Sequence, residues 1–185
     1  MAIVFQYGSN MSVRRFNSED RLAGDAKPIG VASTVEPYEL AFTVWSRRGQ
    51  CAAADIFPNG ASRSIYGVLY DIPDFLLSRD TARARGRKSL DAIEGAGGNY
   101  VRKEIDVVTP DEENRTALTY VVKNRRTNLK TSLAYVRHIL CGLKEQGLPE
   151  DYFQYVLSRV IENNSELRPS LPQWDLLSGW CSEAG

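Results

Sequence analysis

Near its beginning the chain carries the stretch Ile3-Val4-Phe5-Gln6-Tyr7-Gly8-Ser9-Asn10-Met11. An apolar, β-favouring run stops at a glycine and is followed by two small polar residues, which predicts a strand, a tight glycine loop and then a short helix. We expect that helix over about residues 11–18, with Ser9 or Asn10 as its cap. A loop of this kind points backbone N–H groups outward, and a residue without a Cβ lets a ligand come close. The stretch therefore predicts a cradle for a small anion or a carbonyl oxygen.

Length and composition favour a single globular domain. The chain has 185 residues, of which 43% are hydrophobic and 25% charged, values ordinary for a globular protein. Its 23 Lys and Arg residues balance 23 Asp and Glu residues, which argues against a general affinity for nucleic acid or anionic membrane. No apolar run has the length of a membrane span, and no secretory leader is recognisable, so we expect no membrane partner and a cytoplasmic location.

The cysteines predict neither a disulfide framework nor a zinc site. Cys51, Cys141 and Cys181 are odd in number and widely spaced, and none belongs to a Cys-x-x-Cys pair. We therefore expect three reduced thiols.

The order of the predicted elements favours an α+β fold. Strand-like runs cover about residues 3–6, 30–35, 40–45, 51–57, 64–71, 99–109 and 115–122, and helical patterns cover 89–94, 132–146 and a segment beginning at Pro149. Gly67 inside one strand predicts a bulge or a close backbone approach. Strands first and helices last indicate a curled or closed sheet flanked by helices.

The end of the chain is expected to differ from the rest. We predict a domain over residues 1–164 and an irregular C-terminal tail over 165–185, because Pro169, Pro172 and Gly179 disfavour regular structure. Trp174 and Trp180 should anchor this tail on the domain, since exposed tryptophans are unusual.

A cluster of basic residues occupies the segment 79–88. It contains Arg79, Arg83, Arg85, Arg87 and Lys88 with a single compensating Asp80. A phosphate-binding patch is one interpretation. A solvated loop or helix face is favoured over it, because no aromatic residue is interleaved for stacking on bases.

Several catalytic classes are poorly supported by the residues present. The chain has one histidine, His138, which lies mid-helix beside an apolar stripe and is better explained as structural or surface. Histidine-dependent triads and metal sites therefore lack their parts, so no metal is expected. No Gly-x-Gly-x-x-Gly follows a strand and opens a helix, which leaves a dinucleotide cofactor unsupported.

What remains is carboxylate chemistry among tyrosines. Glu94 ends an apolar helical turn and faces the glycine-rich loop Gly95-Ala96-Gly97-Gly98. A glutamate held there would be partly desolvated, which raises its pKa towards the range of a general base. From the residues alone, a solvated glutamate at a helix end is an equally simple interpretation and is modestly favoured. Tyr100, Tyr120 and Tyr135 are similarly open to interpretation as core aromatics.

With these residues in view, the chain resembles the gamma-glutamylcyclotransferase-like family. Four features carry the resemblance in the family's order: the loop Phe5–Met11, the glycine-containing strand Ile65–Tyr70, the segment Leu90–Gly95 followed by Tyr100, and Tyr120 followed by Ser132–Tyr135 and Gly142–Tyr152. Together they span about residues 3–157. The resemblance implies a small mixed β-barrel with flanking helices.

The resemblance also implies an enzyme that releases 5-oxoproline from a γ-glutamyl amino acid, peptide or amine. The substrate's α-amine would attack its own γ-carbonyl, so no enzyme nucleophile, metal or cofactor is required. Glu94 matches the family's catalytic acid/base. The residues matching its substrate site are Tyr7, Gly8, Ser9, Asn10, Met11, Tyr100, Tyr120 and Tyr135. The loop N–H groups would meet either the developing oxyanion or the substrate carboxylate. The partner would be a small γ-glutamyl compound bound by a monomer or homodimer.

Some features depart from the family pattern. Gln6 replaces a small residue, the basic stretch 79–88 is extra length before Leu90, and the tail beyond about residue 160 has no counterpart. These departures leave the identity of the group attached to the γ-glutamyl moiety open. Two other functions stay open: a non-catalytic module that binds a small carboxylate, and a lyase or hydrolase that acts on a γ-glutamyl amide without cyclising it.

Overall fold

The computed structural model describes residues 1–58, 60 and 63–182. Its strands and α-helices, in chain order, are β1 (Ala2–Gln6), α1 (Val13–Phe16), β2 (Lys27–Thr34), β3 (Glu39–Ser46), β4 (Cys51–Phe57), β5 (Tyr66–Ile72), α2 (Arg79–Arg83), α3 (Leu90–Glu94), β6 (Tyr100–Val108), β7 (Asn114–Val122), α4 (Leu133–Glu145), α5 (Glu150–Asn163) and α6 (Leu177–Ser182). Short 3₁₀ turns cover Ser9–Met11, Asp74–Leu76, Ser165–Ser170 and Trp174–Leu176.

Five strands close into a barrel in the order β1–β5–β2–β6–β7, and β3 and β4 form a separate two-stranded sheet. Strand β1 closes the barrel because it pairs antiparallel with β5 and parallel with β7, where Val4 lies opposite Leu118. The prediction of an α+β fold, with a small mixed β-barrel and flanking helices, is confirmed.

The close backbone approach predicted at Gly67 is also confirmed. A Cβ at this position would lie 2.5 Å from the carbonyl oxygen of Gln6 and 2.6 Å from the ring of Phe5. Only glycine therefore lets β5 pack so closely on β1, directly before the loop that leaves the barrel at Tyr7.

The loop after β1 is arranged differently from the expectation. Helix α1 is capped by Ser12, whose hydroxyl accepts a hydrogen bond from the Arg15 N–H, so the prediction that Ser9 or Asn10 caps it is wrong. The chain first makes the 3₁₀ turn Ser9–Met11, which delays the helix by one turn. As a result the side chains of Ser9 and Asn10 are available for other contacts.

Helix α4 holds this loop in place by direct backbone contact. A Cβ on Gly142 would lie 2.8 Å from the backbone nitrogen of Ser12 and 2.9 Å from the Cβ of Met11. The missing side chain thus allows α4 to pack against the loop backbone itself. The position of the loop is therefore set by a helix more than 100 residues away in sequence.

Two structural expectations about the C-terminal region are wrong. Cys141 and Cys181 form a disulfide that joins α4 to α6, whereas Cys51 is a buried free thiol. The expected irregular tail contains two 3₁₀ turns and α6 in its described part, and residues 183–185 lie outside the described residues. Pro169 stands inside a 3₁₀ turn, because its fixed φ is compatible with helical backbone. The folded tail is what brings cysteines 40 positions apart together.

The two tryptophans anchor the tail as expected. Trp174 packs on Phe153 with ring centroids 5.2 Å apart, and Trp180 lies under the guanidinium of Arg137. Both rings are packed against the main core, which also contains Leu177 of α6. The division into residues 1–164 and a separate tail stays a prediction.

Candidate active site

Glu94 is fixed at the C-terminal end of α3. The helix begins at Ser89, whose hydroxyl accepts the Ala92 N–H, and ends at Gly95 in a left-handed conformation with φ of 70°. The Arg79 guanidinium donates to the carbonyl oxygens of Asp91 and Ala96, on either side of Glu94. The turn that carries Glu94 is thus held at both ends.

The glutamate meets the glycine loop through a hydrogen bond. Asn10 Nδ2 donates to Glu94 Oε1 at 2.6 Å, joining positions 84 residues apart. Burial raises the pKa of Glu94 above its usual value, while the charge of Arg21 and the Asn10 hydrogen bond act in the opposite direction. These are the surroundings of a partly desolvated carboxylate rather than of a fully solvated one.

A small inner chamber of about 40 Å³ lies beside Glu94. It brings together most of the residues predicted from sequence to bind substrate, namely Tyr7, Gly8, Ser9, Asn10, Tyr100, Tyr120 and Tyr135. Met11 is fully buried in the core and does not line the chamber. The site residues from four distant segments therefore converge, with Met11 as the exception.

Gly8 leaves space in this chamber. A Cβ at this position would lie 3.5 Å from the Cβ of Ala54 and 3.6 Å from the hydroxyl oxygen of Tyr135, which are ordinary contact distances. Its φ of −110° does not require glycine. The absent side chain therefore keeps the chamber open rather than permitting an unusual backbone.

Two of the tyrosines are held by the backbone of one residue. The Tyr100 hydroxyl donates to the carbonyl oxygen of Ala54 at 2.8 Å, and the N–H of Ala54 donates to the Tyr135 hydroxyl oxygen at 3.0 Å. Because β4 supplies both groups, its backbone fixes the separation of the two rings across the chamber.

The other two tyrosines form a chain that leads to α3. The Tyr7 hydroxyl donates to the carbonyl oxygen of Tyr120 at 2.6 Å, and the Tyr120 hydroxyl donates to Asp91 Oδ1 at 2.7 Å. Asp91 also pairs with Arg102 on β6. Tyr120 is therefore bound to the helix that carries Glu94.

Burial keeps these phenols protonated. It raises the pKa of Tyr7 and Tyr100 well above their usual value, and it raises those of Tyr120 and Tyr135 as well. Three of the hydroxyls donate to protein acceptors. Tyr135 instead accepts from the Ala54 N–H, and it also has a hydrogen bond with the Ser9 side chain.

A larger outer cavity of about 650 Å³ adjoins the chamber and shares Ser9, Asn10, Glu94, Tyr100 and Tyr135 with it. Its remaining wall carries four guanidinium groups and the single histidine, namely Arg15, Arg21, Arg47, Arg48 and His138. The site thus has a small tyrosine-walled interior, in which Glu94 is the one carboxylate among the described lining residues, and a wide basic mouth.

A model of the AIG2-like family matches residues 64–156. This segment is half of the chain and includes Glu94, Tyr100, Tyr120 and Tyr135. The chain belongs to the AIG2-like family. The expected family resemblance is confirmed.

Solved structures place this AIG2-like chain among known folds. A gamma-glutamyl cyclotransferase matches with a TM-score of 0.73 and 23% identity over 99% of both chains. An uncharacterized protein from Homo sapiens matches with a TM-score of 0.69 and 25% identity, over 85% of this chain and 86% of that one. YkqA from Bacillus subtilis matches at 0.66 and 23%, over 93% of this chain but 55% of that chain. These likenesses establish the fold. No curated protein sequence matches the chain.

The basic stretch of the AIG2-like chain has a structural explanation. Besides the Arg79 contacts at α3, the Arg87 guanidinium donates to the Leu22 carbonyl oxygen and the Lys88 ammonium to that of Asp20. Arg87 also pairs with Asp25. These side chains fasten the segment that carries Arg21, so the interpretation as a helix or loop face is favoured over a phosphate patch.

Sequence reasoning missed two parts of the site. Asp55 is fully buried and accepts from the Val122 N–H, Thr43 and Arg125, which ties β4 to β7 next to Ala54. A lone carboxylate in the otherwise apolar run Cys51–Phe57 was the available signal. His138, expected to be structural or on the surface, lines the outer cavity, and burial and the charges of Arg15 and Arg21 lower its pKa to about 4. It is therefore neutral at pH 7.

Metal-binding clusters and membrane-spanning helices are absent from the part of the chain that the structure describes. No group of three or more His, Cys, Asp and Glu side chains there is arranged to hold a metal ion. None of the described helices combines the length and apolar character needed to cross a bilayer.

Proposed function

We propose that this chain is a gamma-glutamyl cyclotransferase, which releases 5-oxoproline from a γ-glutamyl compound. The observation that carries the proposal is the hydrogen bond between Asn10 and Glu94 at the edge of the tyrosine-walled chamber. It unites the glycine loop with a carboxylate whose pKa burial raises. The shared fold of the solved gamma-glutamyl cyclotransferase is consistent with this function.

The reaction needs one proton acceptor and no further reagent. The α-ammonium group of the substrate, with a pKa of about 8, loses a proton to Glu94 and becomes nucleophilic. Its nitrogen attacks the γ-carbonyl carbon, and the bond between that carbon and the leaving nitrogen then breaks. Glu94 returns the proton to the leaving nitrogen, and the second proton lost by the attacking nitrogen passes to the released amine, which leaves as its ammonium form. Because both reacting groups belong to one molecule, holding it folded contributes an effective molarity of about 10⁵ M or more, and no cofactor is required.

The polar groups around Glu94 suit the charges of this reaction. Asn10 Oδ1 is buried and has no hydrogen-bond partner within the described residues, so it would accept from the substrate α-ammonium. The Tyr135 hydroxyl, which is held by the Ala54 N–H and the Ser9 side chain, would donate to the oxyanion that develops at the γ-carbonyl. The first-turn N–H groups of Ser9 and Asn10, which lack intrahelical acceptors, would then bind the α-carboxylate.

A product assay tests the proposal. The protein is incubated with a panel of γ-glutamyl amino acids, peptides and amines, and 5-oxoproline is measured by mass spectrometry. We expect product from the wild type and a loss of about 10²- to 10⁴-fold in kcat for Glu94→Gln. Glu104→Gln, which removes an exposed carboxylate from β6, is the matched control and should keep full activity.

Each alternative function predicts a different result. Heat of binding in calorimetry without product from any substrate would indicate a binding module, and ¹⁸O from solvent water in free glutamate would indicate a hydrolase. Full activity in a folded Glu94→Gln variant would refute the assigned acid/base role.

The setting of the reaction is part of the same proposal. We assign a small-molecule γ-glutamyl substrate, no nucleic-acid partner, a monomer or homodimer, and a cytoplasmic location. Cytoplasmic reductants would act against the Cys141–Cys181 disulfide. Differential thiol alkylation of the protein in its own cells therefore tests the location, because a fully oxidised pair there would contradict it.

A further inference from the structure

The outer cavity is larger than a simple amine requires. Its volume of about 650 Å³ lies within the range of about 300–1,000 Å³ found for sites of complete small molecules, whereas the chamber beside it holds about 40 Å³. Because the two spaces share Glu94, Asn10 and Tyr135, a group leaving the scissile carbonyl enters the outer cavity. The wall of this cavity therefore contacts whatever is attached to the γ-glutamyl moiety.

The charge on this wall is predominantly positive. Four guanidinium groups line the cavity, from Arg15, Arg21, Arg47 and Arg48, and Glu94 is the one carboxylate among its described lining residues. His138 adds no charge at pH 7, because its pKa is lowered to about 4. The chain as a whole is electrically balanced, so this excess of positive charge is local to the cavity.

Three of the four arginines form no direct ion pair, although Arg15 and Arg21 interact at longer range with Glu94. Arg48 pairs with Asp20, but Arg15, Arg21 and Arg47 form no ion pair with any residue of the described ranges 1–58, 60 and 63–182. Elsewhere in the molecule, Arg87, Arg102, Arg125 and Arg159 all pair with carboxylates. The cavity thus brings together three arginines that form no direct ion pair and a single carboxylate, Glu94.

Arg15 shows that this arrangement has a cost. Its Nε atom is buried and has no hydrogen-bond partner among the described residues. Burial, and then repulsion from Arg21, lower the pKa of Arg15 to about 10. A half-buried guanidinium that forms no direct ion pair and whose Nε lacks an acceptor is unfavourable for folding alone. A ligand with a carboxylate group would accept hydrogen bonds from the N–H donors of this guanidinium.

We infer that the leaving group is an acidic amino acid, so that the preferred substrate is a γ-glutamyl compound with two carboxylates on its acceptor side. Arg15 and Arg21, nearer Glu94, bind the carboxylate next to the scissile nitrogen, and Arg47 at the rim binds the second. The inference rests on the proposed cyclotransferase function. The released products are 5-oxoproline and the free dicarboxylic amino acid, and no co-reactant is consumed.

A graded substrate series tests the inference. The series comprises γ-glutamyl-L-glutamate, γ-glutamyl-L-alanine, γ-glutamyl-ethylamide and γ-glutamyl-putrescine, whose acceptor parts carry charges of −2, −1, 0 and +1. We expect kcat/KM to fall in that order, by roughly 10- to 100-fold for each carboxylate removed, as for hydrogen bonds to charged groups. Added salt should reduce kcat/KM for the dianionic substrate more than for the ethylamide.

Variants locate the effect on the arginines. Arg15→Gln and Arg47→Gln should each reduce the ratio of kcat/KM for γ-glutamyl-glutamate to that for γ-glutamyl-ethylamide by about tenfold or more, and Arg47→Glu should favour γ-glutamyl-putrescine. Arg47 is exposed, so its variants should fold, and the ratio can be measured in them even if Arg15→Gln fails to fold. Arg14→Gln removes the neighbouring exposed charge, which lies outside the cavity wall, and should leave the ratio unchanged.

The results separate this inference from the proposed function. Equal kcat/KM for the ethylamide and the dianion would overturn the inference and leave cyclotransferase activity intact. If no substrate gives 5-oxoproline, the proposed function fails and the leaving-group assignment fails with it, and calorimetry then tests the recognition of two acceptor carboxylates alone. Tighter binding of γ-glutamyl-glutamate than of the ethylamide would uphold that recognition, whereas equal dissociation constants would overturn it.

Discussion

The inner chamber and the outer cavity are adjacent but built in opposite ways. The chamber is lined by the glycine loop, by strands of both sheets and by α3 and α4, and most of its tyrosine hydroxyls are bonded to protein acceptors. The outer cavity takes its charge from the segment around α1 and the turn after β3, where Arg15, Arg21 and Arg47 form no direct ion pair with any described residue. Under the proposed function, the part that binds the γ-glutamyl group would be fixed by the fold, while the part that binds the attached group would depend on a few side chains.

The largest expected effect comes from closing the inner chamber. Gly8→Ala should lower kcat/KM by about 100-fold, because the added methyl group occupies space between Ala54 and Tyr135 and displaces the substrate by about 1 Å. Stability to urea should change by less than about 1 kcal/mol, since both contacts are at ordinary distances. Steady-state kinetics on the best substrate of the panel measures the loss.

Gly179→Ala is the control for this substitution. Its Cβ would meet nothing within 4 Å, so activity should be retained. A Gly8→Ala enzyme with wild-type kinetics would show that the chamber does not hold the reacting group. The chamber and the outer cavity would then not correspond to the two parts of the substrate.

A smaller effect is expected from the link between loop and glutamate. Asn10→Ala removes the hydrogen bond that stabilises the Glu94 carboxylate, so the pKa of Glu94 should rise further above its usual value. Activity requires the deprotonated base and is lost as the pH falls through that pKa. The acidic limb of the kcat profile should therefore move to higher pH by about one to two units, since hydrogen bonds to charged groups contribute about 1.5–3 kcal/mol and one unit corresponds to about 1.36 kcal/mol.

The pH–rate profile is compared with that of Asn114→Ala, an exposed asparagine at the beginning of β7. That variant should keep the wild-type limb. If the acidic limb of Asn10→Ala stays at the wild-type pH, the Asn10 hydrogen bond does not set the pKa of Glu94.

The smallest expected effect concerns stability. Burial raises the pKa of Glu94 in the folded chain above that in the unfolded chain, so folded protein loses stability as the pH rises through this interval. No such loss occurs below the unfolded value of about 4.3. Glu94→Gln should therefore be more stable than wild type at pH 8, and the difference should shrink towards pH 4. Urea denaturation at several pH values measures it; a pH-independent difference would show that burial of the charged carboxylate is not its cause.

Much of the fold follows from local patterns. The strand before Gly8, the close approach at Gly67 and the helix beginning after Ser132 depend on residues that lie near one another in sequence. No local sequence pattern relates positions 10 and 94. Only the family resemblance implied that Glu94 lies close to the loop. The α+β class was therefore predictable from periodicity, whereas the site required knowledge of relatives.

The remaining features depend on distant contacts. The Cys141–Cys181 pair requires the tail to fold back along α4, and proline spacing suggested the opposite. The basic wall combines residues from the segment 15–21 and from the turn after β3. No local sequence pattern marks any of these arginines, and their charges are brought together only in the folded chain. Asp55 is the exception, since a single carboxylate in an apolar strand could have been recognised.

The role of Ala54 has a consequence for how the sequence can vary. Its N–H and carbonyl oxygen hold Tyr135 and Tyr100, and these groups are present in every residue type except proline, which lacks the N–H. Genetic drift at position 54 to any other residue type therefore cannot remove either bond, and selection there acts on side-chain volume. At positions 100 and 135, by contrast, a change from tyrosine to phenylalanine abolishes a bond at once. A saturation library would reveal this asymmetry as tolerance of small residues at 54 and intolerance at its two partners.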